Sequence, residues 1–208
     1  METMSETSAS APDTAAAVRP AGSYNANPQG LSFLGLVAED FAAHGRSLIV
    51  PGFWAIAVHR FGNWRKGIRP RLLELPFSVL YRCLYIGVNW LWGIDLAHTV
   101  LLGRRVRIWH HGCILIGARS IGDEVHIRQN TTMGLLNRGD DDSLRPTIES
   151  RVDIGVGACI LGALTVGHDS VIGPNTVVLK NVAPHSTMFG IPARPVGQLR
   201  PNSSKEPA

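Results

Sequence analysis

Charged residues are scarce in this 208-residue chain: Asp, Glu, Lys and Arg make up 17% of it, and 20 basic against 16 acidic side chains leave a net charge of only +4. With no long run of Lys or Arg, that balance gives no sign of a nucleic-acid surface. Cysteine is scarcer still. Cys83, Cys113 and Cys159 fit neither a metal-ligand spacing nor an even disulfide framework, so the expectation is a reducing, cytoplasmic setting. No apolar run is long enough for a confident bilayer crossing either, since residues 76–92 are short for one and contain Arg82 and Asn89. The start of the chain lacks the apolar core that marks a secretory signal. Residues 1–30, rich in Ala, Ser, Pro and Asn without apolar periodicity, read as a disordered tail, as do residues 198–208.

What is present is a period of six. An aliphatic residue recurs at Leu96, Leu102, Ile108 and Ile114, then after a seven-residue step at Ile121, Ile127 and Met133, and after a loop at Ile148, Ile154, Ile160, Val166, Ile172 and Val178. A small or β-branched residue, such as Val106, Val125, Thr131, Val152 or Ala158, often occupies a second slot four places on. Six fits neither the 3.6 of a helix nor the alternation of a strand, but it is the hexapeptide repeat of a parallel β-helix, three hexads to a triangular coil. The expected architecture is mainly β: a solenoid of about four coils over residues 94–197.

Between residues 31 and 93 the pattern turns helical. Phe33, Leu36, Val37 and Phe41 share one face, Pro51 opens a second segment, and a third spans about Leu72 to Trp92 with Gly93 at its end. A small helical cap therefore precedes the coils. Arg60, Arg65, Lys66, Arg69 and Arg71 lie near Trp54, Trp64, Trp90 and Trp92 in this cap. The combination suits either peripheral membrane contact or a solvated basic face over an aromatic seam between subunits.

Four of the eight histidines, His98, His110, His111 and His126, fall in or beside the first coils. Stacking one coil on the next places Gln129 over His110, so no three-histidine metal cluster assembles from spacing and no metal is expected. His110 and His111 follow the inward Ile108 and sit near a corner, where they are open to a ligand or to solvent. Asp95 is a carboxylate able to orient an imidazole and stabilise its charged form.

The run GIDLAHTVLLGRRVRIWHHGCILIG, the block IGVGACILGALTVGHDSVIGPNTVVL and the close VAPHSTMFGIPARPVG resemble the serine acetyltransferase branch of the left-handed β-helix acyltransferases. The resemblance implies a left-handed β-helix, assembly as trimers or pairs of trimers, and acetyl-CoA as co-substrate in a groove between subunits, without a metal. It assigns Asp95 and His110 as the catalytic pair, with His110 the general base. For CoA it points to Gly134, Gly157, Ala158, Gly162 and Ala163 beside the pantetheine arm, with Lys180 and Arg194 as candidates for the phosphates.

Two positions depart from the family pattern on the acceptor side. Trp109 stands where the family has an aspartate that grips serine, and Leu144-Arg145-Pro146 stands where it has Arg-His-Pro. An indole can stack on a sugar ring or fill apolar space at a subunit seam. With the HHG motif and the Arg-Pro loop, the departures resemble the subgroup that acetylates sugar units in exopolysaccharide assembly. The expectation is an acetyl-CoA-dependent O-acetyltransferase acting on a saccharide acceptor in polysaccharide biosynthesis, with Trp109, His111 and Arg145 binding that acceptor. L-Serine is the alternative acceptor, and a non-catalytic scaffold solenoid the competing class. The acidic excursion at Asp140, Asp141 and Asp142 is either an acceptor contact or a solvated loop tip. Partner sulfhydrylases are expected to be absent, because family members that dock into one end in isoleucine and this chain ends in Ala208.

Overall fold

A computed structural model describes residues 20–137 and 139–196. Three helices, α1 (Phe33–Ala43), α2 (Pro51–Trp64) and α3 (Arg71–Trp92), precede a run of very short strands. Ser32 caps α1 by accepting from the Gly35 amide, Pro51 takes the first position of α2, and Gly93 closes α3 in the left-handed region at φ 61°.

The strands stack into three parallel sheets, one per side of a triangular coil. The first holds Ile94–Asp95, Ile114–Ile116, Thr132–Gly134, Cys159–Leu161 and Val177–Val178. The second holds Leu101–Leu102, Ser120–Ile121, Thr147–Ile148 and Thr165–Val166. The third holds Arg107–Ile108, His126–Ile127, Asp153–Ile154, Val171–Ile172 and Thr187–Phe189, closed by the antiparallel Arg194–Pro195. Inward side chains form three aliphatic columns, such as Ile108, Ile127, Ile154 and Ile172 in register on the third side. These residues are wholly buried, as are the second-slot residues Val106, Val125 and Ala158. No single coil could bury such a column alone, so stacking holds the solenoid together.

One register differs from the six-residue reading. Ile116 rather than Ile114 pairs with Met133, because the strand is one turn of the pleat longer: Ile114 and Ile116 are both buried and Leu115 between them points out. The edge between the second and third sheets carries a ladder of residues at positive φ, Arg105, Glu124, Arg151, Asp169 and His185. The sequence alternates charge up that ladder, with Arg105 bonded to Glu124 (2.6 Å) and Arg151 to Asp169 (2.6 Å). Opposite charges on adjacent coils thereby support a corner conformation that non-glycine residues seldom adopt.

The cap solves an edge problem. The first coil has no coil below it, so its backbone would leave unpaired groups. Arg60 donates to the Leu102 (2.9 Å) and Gly103 (2.5 Å) carbonyls, His59 Nε2 meets the Val100 carbonyl (2.9 Å), Asn63 donates to the His98 carbonyl (3.0 Å), and His44 Nε2 accepts from the Ile108 amide (3.2 Å). Asp40 neutralises Arg60 at 2.9 Å, both side chains being fully buried. Burial lifts the Asp40 carboxyl above its usual range while Arg60 pulls it back. Gly52 lets α2 approach this closely, since a Cβ there would lie 2.2 Å from the Ile108 carbonyl oxygen.

Two expectations are corrected here. Arg60 and Arg65 are not part of an exposed basic face: both are buried, Arg60 against Asp40 and Arg65 against Glu74. The expected disordered tail of residues 1–30 ends earlier, because residues 20–30 pack on α2 through Asn27, which donates to the Arg60 carbonyl (2.9 Å), and through the Ala26 amide, which donates to Asn63. Residues 1–19 and the tail at 198–208 lie outside the described residues.

Candidate active site

The candidate residues fall on the two edges of the first sheet. On the edge shared with the third sheet, Trp109, His110 and His111 leave the strand Arg107–Ile108 and turn the corner. The corner is tied down by the Gly112 amide, which donates to the Trp92 carbonyl (2.8 Å). His110 and His111 are exposed and carry no hydrogen bond among the described residues. Gln129 occupies the same corner one coil on, and its carbonyl accepts from the Gly157 amide (3.0 Å), so Gly157 and Ala158 stack on Asn130 and Thr131 just past that corner.

On the edge shared with the second sheet, the excursion 135–146 folds back over the coil. Arg145 donates to the Gly117 carbonyl (3.1 Å) and pairs with Asp142 (2.8 Å). Gly134 and Gly162 stack there, the Gly162 amide donating to the Gly134 carbonyl (2.9 Å), and the space over Gly134 is open. Ala163 and Lys180 follow on the same edge. Lys180 shares a cavity of about 250 Å³ with Arg194, Met188 and Pro192. No carboxylate lines that cavity, which suits a phosphate group.

Between the edges lies a second cavity, of about 290 Å³, lined by Tyr85, Asp95, Leu115, Arg119, Asp142 and Arg145 among others. The Tyr85 hydroxyl donates to Asp95 Oδ1. Burial and the adjacent carboxylate both push the Tyr85 phenol upward, so it stays a donor. Arg119 has no ion pair among the described residues. The cavity therefore offers two guanidinium groups and two carboxylates within one small volume.

The structure brings Asp95 and Arg145 together but does not join Asp95 to His110. No hydrogen bond links them, His110 does not line the Asp95 cavity, and Asp95 is engaged by Tyr85 from α3. Tyr85 and Arg119 were not foreseen from sequence: Tyr85 reaches the site from the cap, and Arg119 reaches it by stacking under the excursion, its amide donating to the Pro146 carbonyl (2.8 Å). A third grouping, His168, Asp169 and His185, also escaped the spacing argument. Arg151 holds both oxygens of its carboxylate (2.6 and 2.7 Å) and so competes with any cation there.

Comparison with known proteins fits this geometry. Serine acetyltransferase of Mycobacterium tuberculosis is 35% identical over 154 residues, covering 73% of this chain and 63% of the relative. That of Escherichia coli strain K12 is 34% identical over 159 residues, covering 76% and 55%. The crystal structure of serine acetyltransferase from Brucella abortus strain S19 superposes with a TM-score of 0.66 at 27% identity, covering 83% of this chain and 71% of that one. In sequence and fold the chain is similar to the serine acetyltransferase family. It has the family's left-handed β-helix preceded by helices, although it spans under two thirds of the length of these two curated relatives. No family model matches it.

These similarities overturn the saccharide reading. The similar proteins and structures carry the name serine acetyltransferase, and none supports an exopolysaccharide subgroup. The physical basis of that reading also fails, because the Trp109 ring is not a free stacking platform. The Arg107 guanidinium lies 3.5 Å from the centre of its face, and His126 packs edge-on at 5.6 Å.

Proposed function

We propose that this chain, similar in sequence and fold to the serine acetyltransferases, transfers the acetyl group of acetyl-CoA to the hydroxyl of L-serine. The observation that carries the reading is the mixed charge of the 290 Å³ cavity. Serine is a zwitterion. Arg119 and Arg145 can take its carboxylate, and Asp142 its ammonium, which answers the absence of an aspartate at position 109. Charge-assisted contacts of this kind are the strong ones, and a neutral sugar needs none of them.

The site is completed between copies. One edge of the first sheet carries His110, Gly157 and Ala158, and the other carries Arg145, Gly134, Gly162, Ala163 and Lys180. A single chain keeps the two sets apart. Setting one copy's His110 edge against the next copy's Arg145 edge, as in a closed ring of three, brings the base to the acceptor cavity and makes one groove of the glycine corners. A crystal structure of the Brucella abortus serine acetyltransferase in complex with coenzyme A superposes with a TM-score of 0.63 at 26% identity, which supports a CoA groove on this fold.

In that arrangement His110, exposed and without a partner among the described residues, accepts the serine hydroxyl proton as the oxygen attacks the thioester carbonyl. Collapse of the tetrahedral species breaks the carbon–sulfur bond, and His110 returns its proton to the departing thiolate. Asp95, held by Tyr85, fixes the negative end of the cavity. Lys180 and Arg194 hold the CoA phosphates, and the open space over Gly134 admits the pantetheine arm.

Thiol release from acetyl-CoA, followed with L-serine and with a panel of nucleotide sugars and oligosaccharides, tests the reading. Saturable release with serine and none with saccharides is expected. Release with saccharides alone would overturn it.

A further inference from the structure

Helix α3 docks through one face, carrying Phe77, Tyr81, Tyr85, Val88 and Trp92, and leaves the opposite face to solvent. Of its 22 residues only Tyr81 and Val88 are buried. Trp90 is 84% exposed, Leu72 78% and Val79 60%. At 100° per residue, Leu72, Pro76, Val79, Cys83 and Trp90 form one stripe along the helix, widened by Leu80. Arg71 and Arg82, about three turns apart, fall together on one flank of that stripe. Both are exposed and neither has an ion pair among the described residues, and Arg69 at the helix entrance has none either. The helix's one acid, Glu74, is held by Arg65 (3.1 Å) and Lys66 (2.8 Å). The result is a broad apolar stripe bordered by unpaired cations, with no free carboxylate on the helix.

We infer that α3 lies flat on an anionic lipid bilayer, its leucines and Trp90 in the headgroup boundary and Arg69, Arg71 and Arg82 against lipid phosphates. An amphipathic helix with aromatic and leucine side chains on one face and arginines beside them has the composition of an interfacial helix. Crossing is excluded for this segment, because no helix among the described residues is long and apolar enough to span a membrane. Charge complementarity selects the lipid over a second copy: two such faces pressed together would bring the same cations towards one another with no acid between them. An anionic surface neutralises all three arginines. The inference does not rest on the proposed reaction.

Flotation of the full-length protein with vesicles tests it. The protein should float with vesicles containing phosphatidylglycerol and stay behind with pure phosphatidylcholine. Replacing Arg71 and Arg82 by Gln should weaken partitioning by about fivefold each, from roughly 1 kcal/mol per cation near the surface. The double variant Val79→Glu and Trp90→Glu, at exposed positions that cost the fold little, should abolish flotation with an unchanged circular dichroism spectrum. No flotation of the wild type would overturn the inference. So would a wild type that does not float and whose oligomer is broken by the double variant, since a second copy would then cover α3.

Discussion

Replacing His110 by Ala should lower acetyl transfer by about 10²- to 10⁴-fold, the usual cost of losing a general base. The side chain is exposed and makes no hydrogen bond among the described residues, so its removal should leave packing untouched and the melting temperature should not move. CoA binding should stay measurable, because the groups assigned to the phosphates, Lys180 and Arg194, lie in a separate cavity. Steady-state rates together with equilibrium CoA binding separate loss of chemistry from loss of binding. Unchanged turnover would remove His110 from the mechanism.

Stability has its own weak point in the cap. Asp40→Ala leaves the Arg60 guanidinium fully buried without its counter-ion, and breaking a buried pair in this way costs about 3–5 kcal/mol. For a chain of this size that corresponds to a fall of roughly 10 °C in melting temperature. The loss should be cap-first: α1 and α2 would leave the first coil, exposing the Leu102 and Gly103 carbonyls that Arg60 covers. The same layer makes the protein acid-sensitive. Burial lowers the His59 imidazole to about 3 and the His98 imidazole to about 4, with Arg60 and Arg65 respectively adding to the effect. Both are neutral in the folded chain while the unfolded chain takes up protons below about 6.5. Stability from these groups is therefore complete above about pH 6.5 and falls progressively towards pH 3 to 4. Thermal melts across that range read the slope, and a flat profile would contradict the buried-histidine picture.

How far the sequence reveals this molecule depends on the range of each contact. The hexads announce the solenoid because every coil repeats the same demand for one inward aliphatic residue, and Pro51 and Gly93 mark helix ends by backbone chemistry that needs no partner. Only at Ile114–Ile116 does the count slip, where two inward residues compete for one slot. The pairing of Arg60 with Asp40 is different. Nothing local distinguishes Arg60 from Arg71, yet one is buried under the first coil and the other faces outward. Tyr85 and Arg119 are likewise invisible in sequence, since they reach Asp95 and Arg145 only after α3 docks and the excursion 135–146 folds back. Trp109 misled for the same reason: an indole next to a candidate catalytic histidine suggests a sugar platform until Arg107 is seen lying across its face. The motif marks His110 as the proposed base, but nothing local shows that it lies outside the Asp95 cavity of a single chain.

The central claim, that the base and the acceptor cavity come from neighbouring copies, is tested most directly by subunit mixing. Chains carrying His110→Ala and chains carrying Arg145→Ala, each nearly inactive alone, are co-expressed with different tags, and doubly tagged assemblies are isolated. In a mixed ring of three, one junction pairs an intact His110 edge with an intact Arg145 edge, so about one third of wild-type activity should return. Mixed assemblies as inactive as their parents would place both residues in a site within one chain and contradict the account.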